Sequence, residues 1–177
     1  MASVAILVNG LPGSGKTTLA RTLAAVLGCP AITLDVLHEA LAGVTGPVVA
    51  SDRLRSVADE TAWSLAAEVE AGVVVEAAWH PERDGSTVRA GLERAGSPRT
   101  VEVWCDVDPD EALRRTLERV VAGARPRVLG TADELRAAWP ALVAGAAPLG
   151  GHPVVRVDGG GEVDLDALVT EIGDHFG

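Results

Sequence analysis

The sequence predicts an α/β protein of three layers, a parallel sheet covered by helices on both faces. Apolar runs of strand length alternate along the whole chain with segments of helical periodicity. Those runs are apolar at nearly every position, the pattern of strands buried on both faces. The first of them passes straight into a glycine-rich stretch, residues 10–18, that opens a helix.

Residues 4–8 (VAILV) read as the first strand, and KTTLARTLAAVLG as a helix with Leu19, Leu23, Val26 and Leu27 on one face and Gly28 as its stop. Residues 30–35 (PAITLD) form a second strand ending on Asp35, followed by a short helix, VLHEALAG, closed by Gly43. Residues 51–71 are a long helix with Leu54, Val57, Ala58, Thr61, Ala62, Leu65, Ala66 and Val69 facing inward and Gly72 ending it. A third strand covers residues 73–79 (VVVEAAW), with Glu76 in its middle. PERDGSTVRAGLERAG is then a helix interrupted early by Gly85, and residues 100–107 are a fourth strand. Asp108, Pro109 and Glu111 supply an N-cap, a first-turn proline and an acidic third position for the next helix. An arginine-rich connector and a further helix lead to a fifth strand at 153–158 and a terminal helix, VDLDALVTEIGDHF.

The length of 177 residues fits one domain over 1–177 with a sizeable core. A formal charge of −10 argues against a broad phosphate-tracking surface, so a small-molecule partner is expected rather than long nucleic acid. Cys29 and Cys105 show no metal or redox spacing and read as buried thiols. No apolar run approaches the roughly 18 residues of a membrane helix and no basic leader opens the chain, so no membrane association and a cytoplasmic location are expected. Oligomeric state leaves no mark in the sequence.

The chemistry concentrates at the first strand–helix junction. Gly10, Gly15, Lys16 and Thr17 fill the pattern G-x-x-x-x-G-K-[ST] of a phosphate-binding loop. A triphosphate needs close-range donors, and successive backbone N–H groups opening onto a helix N-terminus provide them. Gly10, Gly13 and Gly15 leave that backbone bare, Ser14 and Thr18 complete the loop, and Thr17 offers a hydroxyl to Mg²⁺. Lys16 is the one lysine among fifteen basic side chains, a flexible point charge where arginine's rigid fork suits the phosphates less well.

Taken with an aspartate closing strand two, the strand VVVEAAW, an arginine-bearing helix before a connector and the late VVRVDGGG, the loop GLPGSGKTT makes the chain resemble the P-loop small-molecule kinases. That zeta-toxin-like ATP-binding group contains gluconate kinase, chloramphenicol phosphotransferase and the kinase domain of polynucleotide kinase. The resemblance implies a five-stranded sheet in the order 2-3-1-4-5 with a small lid at roughly 119–136. It implies ATP as donor, since no N-K-x-D element reads a guanine, with GTP as the alternative, and Mg²⁺ as the metal. Asp35 is implied to take the proton of an acceptor hydroxyl, although an aspartate there also reads as the N-cap of the next helix. Glu76 is implied to support Mg²⁺ through water, where relatives more often carry aspartate, or else to bond the phosphate loop. Arg119, Arg125 and Arg127 are implied to meet the phosphates, Arg119 and Arg125 at the transferring group and Arg119 and Arg127 on the nucleotide. Arg114 and Arg115 read as i,i+4 partners of Glu118 and Glu111, and His38, beyond Asp35, as a partly exposed histidine.

Acceptor identity stays open among a sugar acid, a nucleoside and an antibiotic-like molecule. Candidate lining groups are Arg53, Arg55, His80, Arg83 and the tryptophans at 63, 79, 104 and 139. The alternatives are a 5′-hydroxyl nucleic-acid end kinase and a non-catalytic nucleotide-binding regulatory module.

Overall fold

The structure, a computed structural model, describes residues 2–123 and 130–177. Its five strands are β1 Val4–Gly10, β2 Ala31–Thr33, β3 Gly72–Glu76, β4 Arg99–Asp106 and β5 Val154–Asp158. They form one sheet in the order β2-β3-β1-β4-β5, with every pairing parallel. The helices among the described residues are α1 Lys16–Leu27, α2 Leu34–Thr45, α3 Ser51–Glu68, α4 Pro81–Arg94, α5 Pro109–Val121, α6 Ala132–Ala144 and α7 Leu165–Asp174.

The pleat of β1 explains the layers. Ala5 and Leu7 face a core shared with Trp63 and Ala66 of α3 and Val88 and Leu92 of α4. Ile6 and Val8 face the opposite core, built with Leu19 and Leu23 of α1 and Leu168 and Ile172 of α7. A third cluster, Leu11, Ala112, Leu135 and Trp139, joins the start of the phosphate loop to α5 and α6.

Several element boundaries differ from the sequence reading. Gly43 lies inside α2; the stop is Gly46, whose φ of 61° only glycine adopts cheaply and whose N–H bonds the Ala42 carbonyl. Gly85 does not interrupt α4. That helix is started by His80, whose Nδ1 accepts from the Glu82 N–H at 3.2 Å, and by Pro81, and it is held by burial of Val88 and Leu92. Gly72 begins β3 rather than ending α3, which stops at Glu68. Strand β3 leaves the ladder after Glu76 because the Trp79 N–H goes to the Asn9 side chain instead of to a neighbouring strand. Glu76 is therefore at the strand's carboxyl tip, not in its middle. Gly28 and Asp108 act as read: Gly28 closes α1 at φ 65°, and the Asp108 carboxylate accepts from the N–H groups of Asp110 and Glu111.

Candidate active site

The phosphate loop runs from the tip of β1 into α1 and is packed on three sides. At Gly13, φ is 90° and a Cβ would overlap the Ala112 carbonyl and crowd the Thr116 hydroxyl of α5. At Gly159, after β5, a Cβ would overlap the Ser14 carbonyl, so this turn closes on the loop backbone to backbone. Its N–H is held by the Asp106 carbonyl at 2.6 Å. Gly10 backs on the Cys105 carbonyl, and burial pushes the Cys105 thiol up to about 12. Cys29, by contrast, is half-buried. Gly15 is the left-handed N-cap residue of α1, Thr17 is half-buried and Thr18 exposed in its first turn. A cavity of about 340 Å³ opens beside this turn, with Ser14, Gly15, Thr18, Thr22, Gly159 and Gly161 among its walls.

Strand register brings the predicted carboxylates to the same edge of the sheet. Thr33, Glu76 and Val8 pair across β2, β3 and β1, so Asp35 follows that row by two residues on one strand and the loop follows it by two on another. Lys16 is buried, with its ammonium 3.8 Å from the fully buried Glu76 carboxylate and donating to the Leu11 carbonyl at 3.3 Å. The 3.8 Å separation is an ion pair between Glu76 and the loop lysine, longer than a hydrogen bond. Asp35 is not the N-cap of α2. Thr33 holds that position, and Asp35 is a half-buried side chain in the first turn, where the helix dipole favours negative charge. His38 is buried rather than partly exposed, with its Nε2 3.2 Å from the Ser51 hydroxyl.

The arginines separate into two groups. Arg114 bonds Glu111 and Glu118, and Arg115 bonds Glu111 at 2.8 Å, as spacing predicts. Both hold the half-buried Glu111 carboxyl at about 2 by side-chain hydrogen bonds. Arg115 does more: its Nη1 donates to the Gly159 carbonyl at 2.8 Å, tying α5 to the turn against the loop, a contact between distant segments that helical spacing could not reveal. Arg119 is an exposed side chain in the last turn of α5, its Nε 3.4 Å from the Arg115 carbonyl. Arg125 and Arg127 lie outside the described residues, as does the middle of the lid read at 119–136.

A second cavity, of about 350 Å³, lies along Gly10, Leu11 and Pro12, and Trp79, His80, Arg83 and Trp104 help to line it together with α6. Four acceptor candidates thus share one cavity. Others do not join it: Trp63 is buried against Gly91, Trp139 belongs to the α5–α6 cluster, and Arg53 is exposed on α3. Arg55 lies 3.7 Å from Asp84, which also binds Arg83. Burial alone would raise the Asp84 carboxyl, but bonds from Arg83 and the His80 N–H and the charge of Arg55 outweigh it and hold the group below its ordinary value.

Beneath the loop lies a polar pair that the sequence reading passed over. Asn9 and Glu102 are both fully buried, and the Asn9 Nδ2 donates to Glu102 Oε1 at 2.8 Å. The signal available was the same as for Glu76, a carboxylate interrupting an apolar strand. Burial raises the Glu102 carboxyl above its ordinary value against the bonds from Asn9 and the backbone.

The family model described as an AAA domain matches residues 6–139. A shikimate kinase from Corynebacterium diphtheriae is 34% identical over 136 residues, covering 73% of this chain and 70% of that protein. A crystal structure from Chloroflexus aurantiacus superposes with a TM-score of 0.78 at 24% identity over 98% of both chains. The Mycobacterium tuberculosis APS kinase, solved with AMPPNP and APS, gives 0.63 at 20% identity over 98% of this chain and 97% of its own. Among the described residues no helix is long and apolar enough to cross a membrane.

Proposed function

The chain belongs to the AAA domain family of P-loop kinases, and on that premise we propose that it is an ATP-dependent phosphotransferase that moves the γ-phosphoryl group onto a hydroxyl of a small molecule. One observation carries the reading: Lys16 of the loop, Glu76 at the tip of β3 and Asp35 two residues beyond the tip of β2 share one edge of the sheet. Ligands of open parallel sheets bind at this edge.

The roles follow from position. The backbone of residues 10–18 and the Lys16 ammonium hold the phosphates. Arg119, with Arg125 and Arg127 in the connector beyond it, supplies charge for the phosphoryl group as it leaves ADP. Asp35 takes the acceptor proton while the acceptor oxygen forms its bond to phosphorus and the bond from phosphorus to the β–γ bridging oxygen breaks. Among the described residues no three His, Cys, Asp or Glu side chains gather as a metal cage. That suits Mg²⁺, which kinase sites hold through substrate phosphates and one or two protein groups. The half-buried Thr17 hydroxyl and the Glu76 carboxylate are the groups that would hold it, and bound there it would neutralise phosphate charge. The cavity beside Trp79 and Trp104 is the proposed acceptor site, its volume suited to a small molecule. GTP remains the alternative donor, because the Asp158–Gly161 turn offers backbone groups to either purine.

The test is a screen of sugar acids, nucleosides, nucleoside monophosphates, antibiotics and oligonucleotide 5′-ends for acceptor-dependent ADP release, repeated with Asp35→Asn. The expected result is a small hydroxyl compound as acceptor and a loss of about 10²–10⁴-fold in turnover for the variant with ATP affinity nearly unchanged. Turnover only with oligonucleotide ends selects the end-kinase alternative. ATP binding with no acceptor at all selects the regulatory module.

A further inference from the structure

Asn9 is the next-to-last residue of β1, immediately before Gly10, and its side chain makes three bonds. Its Oδ1 accepts from the N–H of Gly10, the first residue of the loop, at 2.8 Å, and from the N–H of Trp79, in the wall of the second cavity, at 3.0 Å. Its Nδ2 donates to Glu102 Oε1. Glu102 in turn accepts from the Leu149 N–H, 2.8 Å from Oε2, in the segment following α6. That segment also supplies Gly145 and Ala146 to the cavity wall. One amide and one carboxylate therefore join the donor loop, the chain leaving β3 and the chain leaving α6. Burying such a pair is costly where two apolar side chains would fill a sheet interior without desolvation. A loop and a wall that must stay in fixed register give that cost a use.

We propose that Asn9, oriented by Glu102, is a positioning residue for phosphoryl transfer, holding the phosphate loop and the acceptor wall in a single frame. The proposal rests on the kinase reading above. Transfer between two bound groups depends mainly on their placement, and a misplacement of about 1 Å is worth on the order of 10²-fold in rate. Asn9 acts through Gly10 and Trp79, so its loss disturbs the relation between the two sites more than either site alone.

The test uses the full chain, MgATP and the acceptor returned by the screen, with Asn9→Ala, Glu102→Gln and the exchange Asn9→Asp/Glu102→Gln. In the exchange variant the new carboxylate still accepts from Gly10 and Trp79, while the new amide donates to it and accepts from Leu149. Melting curves establish folding, calorimetry gives MgATP affinity, and steady-state kinetics give kcat and KM separately. Asn9→Ala is expected to bind MgATP within about threefold of the wild type while kcat falls about 10- to 100-fold. Glu102→Gln is expected to lose less, and the exchange to recover most of the rate. Because Glu102→Gln keeps the side-chain shape, the comparison with its exchange partner stands even where Asn9→Ala fails to fold. Folded single variants with wild-type kcat, or a loss of kcat matched by an equal loss of MgATP affinity, or an exchange that recovers nothing, each overturn the proposal alone. A wild-type chain that binds no MgATP or finds no acceptor overturns the kinase reading and the proposal with it.

Discussion

The two sides of the phosphate loop are built from different materials. Towards α5 and the turn after β5 the contacts are backbone against backbone: Gly13 on the Ala112 carbonyl, and the Ser14 carbonyl on Gly159. Towards β3 and the second cavity side chains make the contacts, with Lys16 against Glu76 and Asn9 bridging Gly10, Trp79 and Glu102, although Gly10 itself backs on the Cys105 carbonyl. A backbone contact excludes any Cβ and is insensitive to the neighbour's identity. A buried polar contact depends on both partners, and removing one strands the other. The difference implies that substitutions on the first side act by steric displacement, and those on the second by uncompensated charge or lost register.

The largest break expected on the side-chain face is Lys16→Ala. It removes the phosphate-seeking ammonium and takes the Lys16 charge away from the buried Glu76 carboxylate, so ATP turnover should fall by on the order of 10²-fold or more, with a measurable loss of stability. Lys16→Met/Glu76→Gln should recover the stability but not the activity, read by melting and by ADP release. A single variant as stable as the wild type would show that the 3.8 Å pair carries no net energy.

A matched pair of glycine substitutions sharpens the steric half of the comparison. Gly13→Ala meets α5 backbone at a left-handed φ, and should lower both stability, by about 2–3 kcal/mol, and nucleotide affinity. Gly91→Ala meets the Trp63 ring in the α3–α4 layer, far from the loop in sequence. It should lower stability by about 1–3 kcal/mol with nucleotide affinity unchanged. Equal affinity losses in the two would show that the steric packing around the loop is not local.

The smallest effect is a pH slope. Glu102 has its carboxyl raised by burial, so the folded chain binds a proton there more readily than the unfolded chain. Stability from this group is therefore greatest in acid and declines as pH rises from the ordinary carboxylate range through the raised value. The melting temperature of the wild type relative to Glu102→Gln should fall as pH rises above the ordinary carboxylate range. A difference that stays flat or rises with pH would mean that the bonds from Asn9 and Leu149 outweigh the burial.

What the sequence determined by itself is the layered α/β fold and the donor loop. Apolar strands such as residues 4–8 state that both faces are covered, and the glycine spacing from Gly10 to Gly15 is fixed by backbone conformation within a few residues. The order 2-3-1-4-5 came from resemblance, and the structure bears it out. Only the tertiary structure decided that Glu76 ends its strand and pairs with Lys16, that Arg115 reaches the Gly159 carbonyl, and that Asn9, Trp79, Glu102 and Leu149 form one network. It also decided which tryptophans share a cavity and that Asp35 lies inside a helix turn rather than at its cap. Periodicity reports which face of an element is buried. It carries no record of partners brought together from opposite ends of the chain, because a buried hydrogen bond depends on strand order and register, which packing of the whole sheet sets.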